Sequence, residues 1–121
     1  MRFVLTGKIT PYVHRTRYGK RSKRAQIYHA SQNAIRTQFK NQMQLAGMRA
    51  IPKETPLRIR IGITVPKSTG RRSDATNFQK AIEDAAQTLV FASKDNWVDD
   101  IHTTRQIGDD WLAIVDIEAL S

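Results

Sequence analysis

Residues 57–65, LRIRIGITV, constrain the fold more than any other stretch. Leu57, Ile59, Ile61, Ile63 and Val65 alternate with Arg58, Arg60, Gly62 and Thr64. Side chains of a strand point alternately to its two faces, so this pattern predicts a strand with one face buried and one in solvent. A chain holding such a strand needs other strands to pair with it and helices or a second sheet to cover its apolar side.

The rest of the chain supplies those elements. Residues 2–9 (RFVLTGKI) read as a first strand, ending before Pro11. Residues 25–46 read as a helix, with Ile27, Ala34, Ile35 and Phe39 at three-to-four spacing, Met43 and Ala46 continuing the stripe, and Gly47 as its C-cap. A second helix starts at Ser73 or Asp74, either of which can cap it, and runs to about Leu89, burying Phe78, Ala81, Ile82, Ala85 and Leu89. Residues 91–99 form a loop. Strands at 100–107 and 111–118 follow, joined by a turn around Gly108 and Asp109. The order β-α-β-α-β-β predicts an α+β fold: one domain over 1–121, a small mixed sheet with two main helices. His29 is expected on the surface of the first helix, and Trp97 and Trp111 in the core or at an interface.

Charge separates the chain into two halves. Residues 1–72 hold 17 Lys and Arg and one acid, Glu54, giving +16; residues 73–121 hold three Lys and Arg and ten acids, giving −7. The total of +9 favours a polyanionic partner. A protein that merely coats nucleic acid, or an RNA-binding protein of ribosomal type, has little use for the acidic half. A metal-dependent nuclease uses both, since cations grip phosphates and carboxylates hold the metal. The chain has no cysteine, which excludes disulfides and thiolate metal sites and fits a reducing, cytoplasmic setting. Its first residues form too short an apolar run for a signal peptide or a membrane span.

The two halves meet at RRSDATNFQKAIED, residues 71–84. On a helix, Asn77, Lys80 and Asp84 share one side, as do Thr76, Lys80 and Glu83, with Asp74 at the N-terminal end of that side. Taken alone, this is an ordinary capped helix with intrahelical ion pairs. The Asp-Asp of WVDD, residues 97–100, taken alone, ends a turn. Together, RRSDATNFQKAIEDA and NWVDDIHTTRQ resemble the RusA family of Holliday-junction resolvases, and GKITPYVHRTRYGK is similar to a Gly- and Arg-rich loop of many members.

That resemblance implies a small, dimeric, magnesium-dependent endonuclease of bacterial or phage origin, acting on branched DNA such as a four-way junction by paired symmetric cuts. Asp74 matches the first metal-binding aspartate of the family pattern, Asp100 its last, and Lys80 an active-site lysine. Asn77 and Asp84 match helix positions. Thr76 stands where the typical member has a second catalytic aspartate. Glu83, nearly eclipsing Thr76 two turns along, or Asp84 beside it, is the expected compensation for that loss. A catalytically weakened or inactive protein that still binds branched DNA is the alternative that Thr76 raises. The expected cofactor is Mg²⁺, or Mn²⁺ in its place, held by Asp74 and Asp100 with retained waters. Arg71 and Arg72 are expected on phosphates beside the scissile bond. Arg15, Arg17, Lys20, Arg21, Lys23 and Arg24 form a second basic patch, with Tyr12 and Tyr18 available to stack on bases. Such contacts go mainly to the backbone and depend strongly on salt.

Overall fold

The computed structural model describes residues 1–12, 23–69 and 75–120. Its elements, in chain order, are β1 (Arg2–Thr6), α1 (Lys23–Ala46), β2 (Leu57–Pro66), α2 (Ala75–Ala86), a short 3-10 turn (Asp95–Trp97), β3 (Val98–Gly108) and β4 (Leu112–Ala119). The expected α+β order β-α-β-α-β-β is present, as one four-stranded mixed sheet with two helices. The strands lie in the order β1-β4-β2-β3. β2 pairs parallel with β3 and antiparallel with β4, and β1 pairs antiparallel with β4. The parallel pair is the one joined by α2, because a parallel connection must cross back over the sheet.

The β2 alternation behaves as its sequence demands. Leu57, Ile59, Ile61, Ile63 and Val65 are buried, and Arg58 and Gly62 are exposed. β4 does the same with Ala113, Val115 and Ile117, and β1 with Phe3 and Leu5. These inward rows meet Ile35 and Phe39 of α1 and Phe78 and Ile82 of α2 in one core. Both helices therefore cover the same face. The other face of the sheet carries no element of the described residues.

Several details set the edges. α1 ends in a Schellman turn: Gly47, at φ 65°, donates to Gln44 O at 3.3 Å, and Met48 donates to Met43 O at 2.9 Å. The outer edge of β1 would offer unpaired backbone groups to any passing strand. Two side chains of α1 occupy it instead. Gln42 accepts from Val4 N at 2.9 Å and donates to Val4 O at 2.7 Å; Gln38 does the same at Thr6, at 2.8 and 2.9 Å. Around the end of α2, side chains of α1 reach its backbone carbonyls. Gln32 donates to Ala81 O at 2.8 Å, and Arg36 donates to Ala85 O and Gln87 O, each at 3.1 Å.

Three boundaries differ from expectation. β1 stops at Thr6, where Gly7 turns the chain at φ 87°, although Ile9 beyond it is still buried. α2 stops at Ala86, and Leu89 packs against the core from outside the helix. β3 begins at Val98, so the Asp-Asp pair lies within the strand. On α1 the stripe is Ala25, Tyr28, Ile35, Phe39 and Met43; Ile27 is 47% exposed, and Ala34 and Ala46 are exposed. Tyr28 takes the place expected of Ile27, because its ring reaches the core edge while its hydroxyl meets a polar partner. His29 is exposed, as expected, and Trp111 packs against the core beside Phe78 at 5.9 Å between ring centroids.

Candidate functional site

α2 presents its polar side toward the first turns of α1 and toward Tyr12. Lys80 Nζ lies 3.0 Å from Asp84 Oδ1, an i,i+4 pair. The Tyr28 hydroxyl donates to Asp84 Oδ2 at 3.4 Å. The Tyr12 ring packs edge-on against Tyr28 at 5.9 Å, and Lys80 Nζ stands 5.8 Å from the Tyr12 centroid. The Tyr12 amide donates to Asn77 O at 3.1 Å, pinning the chain to the first turn of α2. Tyr12 is the last described residue before the basic segment, and Lys23, which opens α1, the first after it. Tyr12 and Tyr28, which lie on either side of that segment in the chain, thus meet beside Lys80 and Asp84. This brings the aromatic and acidic groups of three chain regions to one cation.

Of the residues singled out by sequence, Asp74, Arg71, Arg72, Arg15, Arg17, Lys20 and Arg21 lie outside the described residues, as does Tyr18. Thr76 is exposed near the start of α2, and Glu83 is half-buried two turns on. Gln79, between them, accepts a 2.7 Å hydrogen bond from the Thr103 hydroxyl of β3. That contact fixes how α2 lies along the strand.

Asp100 is elsewhere. Its register partner is Arg58, and its carboxylate accepts from Arg60 at 2.7 Å, with Arg58 Nε at 3.4 Å, both on Oδ2. These arginines belong to the outward row of β2, so Asp100 faces away from α2. It is also displaced along the strand. From the Gln79–Thr103 contact, Ala75 lies about 6 Å toward one end and Asp100 about 10 Å toward the other. Within one chain the fold does not bring Asp100 to the first turn of α2. The register shifts between Leu57 and Arg58, leaving Asp99 as the extra residue of a bulge. Asp99 itself is exposed.

Arg60 is the dominant cause that holds the Asp100 carboxyl below the ordinary carboxylate value, its hydrogen bond outweighing partial desolvation, with Arg58 adding to it. Arg2, hydrogen-bonded to Asp116 at 2.8 and 3.0 Å, lowers that carboxyl in the same way. Arg58 also meets Glu118 at 3.0 Å. Sequence reasoning gave Arg58 and Arg60 no role beyond strand alternation. The signal was there: the polar positions of VDIEA, Asp116 and Glu118, are acidic where those of LRIRIGITV are basic, as cross-strand partners should be.

Carboxylate oxygens are the right donors for a hard divalent cation that keeps several waters. Among the described residues, however, no group of three or more His, Cys, Asp or Glu is close enough to hold one. The described part of the site is a lysine–carboxylate–tyrosine cluster, suited to placing a fixed positive charge beside a phosphate. Among the described residues no helix is long and apolar enough to cross a membrane.

No individual curated protein matches the chain. The sequence profile of endodeoxyribonuclease RusA does, over residues 7–118, a span that takes in Tyr12, all of α2 and the whole of β3. Nucleases of that family generally use a divalent metal, and their substrate is branched DNA. With that match over nearly its whole length, the chain belongs to the RusA family of Holliday-junction endodeoxyribonucleases, a family of hydrolases.

Proposed function

We propose that the chain resolves four-way DNA junctions as a homodimer, by paired symmetric cuts that depend on Mg²⁺ or Mn²⁺. Asp74 is the proposed first metal ligand, with Thr76, Glu83 and Asp84 as candidates for the metal's waters; Asp100, which faces away from α2, is proposed as the second carboxylate of the cutting machinery and not as a ligand shared with Asp74 within one chain. The cation, when bound, would offset charge on the scissile phosphate and acidify a water. Lys80 is the proposed protein cation for charge that develops in the transition state. Asp84 and the Tyr28 hydroxyl fix its position, so little reorganisation is needed when the phosphate arrives. Arg71 and Arg72, with Arg15, Arg17, Lys20 and Arg21, are proposed to hold the flanking backbone. The observation that carries the reading is the family match together with Lys80, held at 3.0 Å from Asp84 beside Tyr12 and Tyr28.

One observation favours a second role for Asp100. Its Oδ2 is engaged by Arg60 and Arg58 on the face away from α2. In this second reading it anchors the two arginines instead of a metal.

A synthetic four-way junction tests both. Wild-type protein is expected to cut it in Mg²⁺ and to bind without cutting in EDTA. Asp74→Asn and Asp100→Asn are each expected to lose cutting by about 10²-fold or more while still binding. Full activity of Asp74→Asn would overturn the proposed site. Full activity of Asp100→Asn alone would leave the nuclease intact and assign Asp100 to the arginines.

A further inference from the structure

Asp100 apart, the open face of the sheet is a large surface that the proposed cutting chemistry leaves unused. Across its middle, from β1 to β3, one level reads Val4, Ile114, Gly62 and Thr104. Val4 is 44% exposed and Ile114 and Leu112 each 37%. Beside this apolar centre lies a charged band of three cations, Arg2, Arg58 and Arg60, and three anions, Asp100, Asp116 and Glu118. An apolar centre with a polar margin is how protein interfaces are built. The charge balance says which partner fits. In a chain of net +9, a surface meant for DNA carries an excess of cations. The side chains of this band sum to zero, so the band itself adds little to the repulsion between two strongly basic copies.

The charges are also ordered by strand. β1 offers Arg2, β4 Asp116 and Glu118, β2 Arg58 and Arg60, and β3 Asp100, so the columns alternate plus, minus, plus, minus. A two-fold axis along the strands, midway between β4 and β2, would lay β4 of one copy over β2 of the other. Each minus column then faces a plus column, which is the self-complementarity an isologous interface requires. The same operation lays Ile114 over Gly62 of the second copy, since the two are register partners. Gly62 leaves a notch: a Cβ there would meet nothing nearer than Thr104 Oγ1 at 3.8 Å. Four strands spaced ~4.8 Å and about 25 Å long present roughly 500 Å² in projection, the scale of one side of a standard interface.

We propose that the open sheet face is the dimer interface of this protein, with Ile114 of each copy seated in the Gly62 notch of the other. This rests on the homodimer reading above and names its surface. Asp100, in the edge column, stays at the rim.

Sedimentation velocity at micromolar concentration tests it, with circular dichroism as a check on folding. Wild-type protein is expected to sediment as a dimer and Ile114→Lys as a folded monomer, because position 114 is outward-facing in the single chain. Gly62→Ile fills the notch and should weaken association about tenfold or more. Adding Ile114→Ala to Gly62→Ile exchanges knob and notch and should restore the dimer. A dimeric Ile114→Lys, or no recovery in the double variant, overturns this interface and leaves the homodimer reading standing. Wild-type protein that is monomeric both alone and on a junction overturns the homodimer reading itself.

Discussion

The two faces of the sheet are made of the same strands, yet only one is covered. The helix face is continuous hydrocarbon: Phe3, Ile59, Ile61 and Val115 are at most 2% exposed beneath Phe39 and Phe78. The open face mixes an apolar centre with paired charges that are 41–69% exposed along its Arg2–Asp116 and Arg60–Asp100 contacts. Stability is concentrated on the first face, because burial of apolar area is the dominant favourable term in folding. The second face contributes little in a single chain, since exposed ion pairs are weak. What the second face has instead is order, in charge and in shape, which is what the proposed dimer interface would use.

Substitutions should divide along the same line. Phe39→Ala, on the helix face, is expected to cost about 3–5 kcal/mol, much of the stability of a domain this size, read as a large fall in the denaturation midpoint. A loss below ~1 kcal/mol would mean that the core is not the single cluster described. At the margin between the faces, Gln42→Ala frees Val4 N and O and should cost about 0.5–1.5 kcal/mol. Hydrogen exchange at Val4 should rise with it; unchanged protection would show that Gln42 does not guard the β1 edge.

The smallest effect belongs to the open face. Asp100 and Asp116 have carboxyls held below their ordinary value, so their pairing supports the folded chain above that value and is lost as pH falls through the depressed folded ones. Carboxyl resonances followed by NMR should show both titrating below pH 3.8, the ordinary aspartate value. Titration at or above it would place Arg60 and Arg2 elsewhere.

How much of this could be read from the sequence depended on the type of signal. LRIRIGITV and the FQKAIEDAA face of α2 carry strong periods, and both elements formed with the expected rows inward. The α1 stripe was shifted by a residue at its start, since Ile27 and Tyr28 both fit an apolar row and only packing chooses between them. The face occupied by Asp100 was not legible at all. In a strand a slip of one residue exchanges the two faces. The bulge at Leu57 and Arg58 is such a slip, and no periodicity in NWVDDIHTTRQ reveals it. The site was half legible: the types and spacing of Asn77, Lys80 and Asp84 were plain, while Tyr28 and Tyr12, which hold Lys80 and Asp84 in place, come from distant segments that only the fold joins.

The central claim is that cutting belongs to the α2 side of the molecule. Lys80 tests it most directly, through the cleavage rate of a synthetic four-way junction by Lys80→Gln under saturating Mg²⁺. The expected result is a fall of about 10²–10³-fold, with junction binding in EDTA and sedimentation unchanged. Cleavage at the wild-type rate would contradict the account and move the chemistry away from α2.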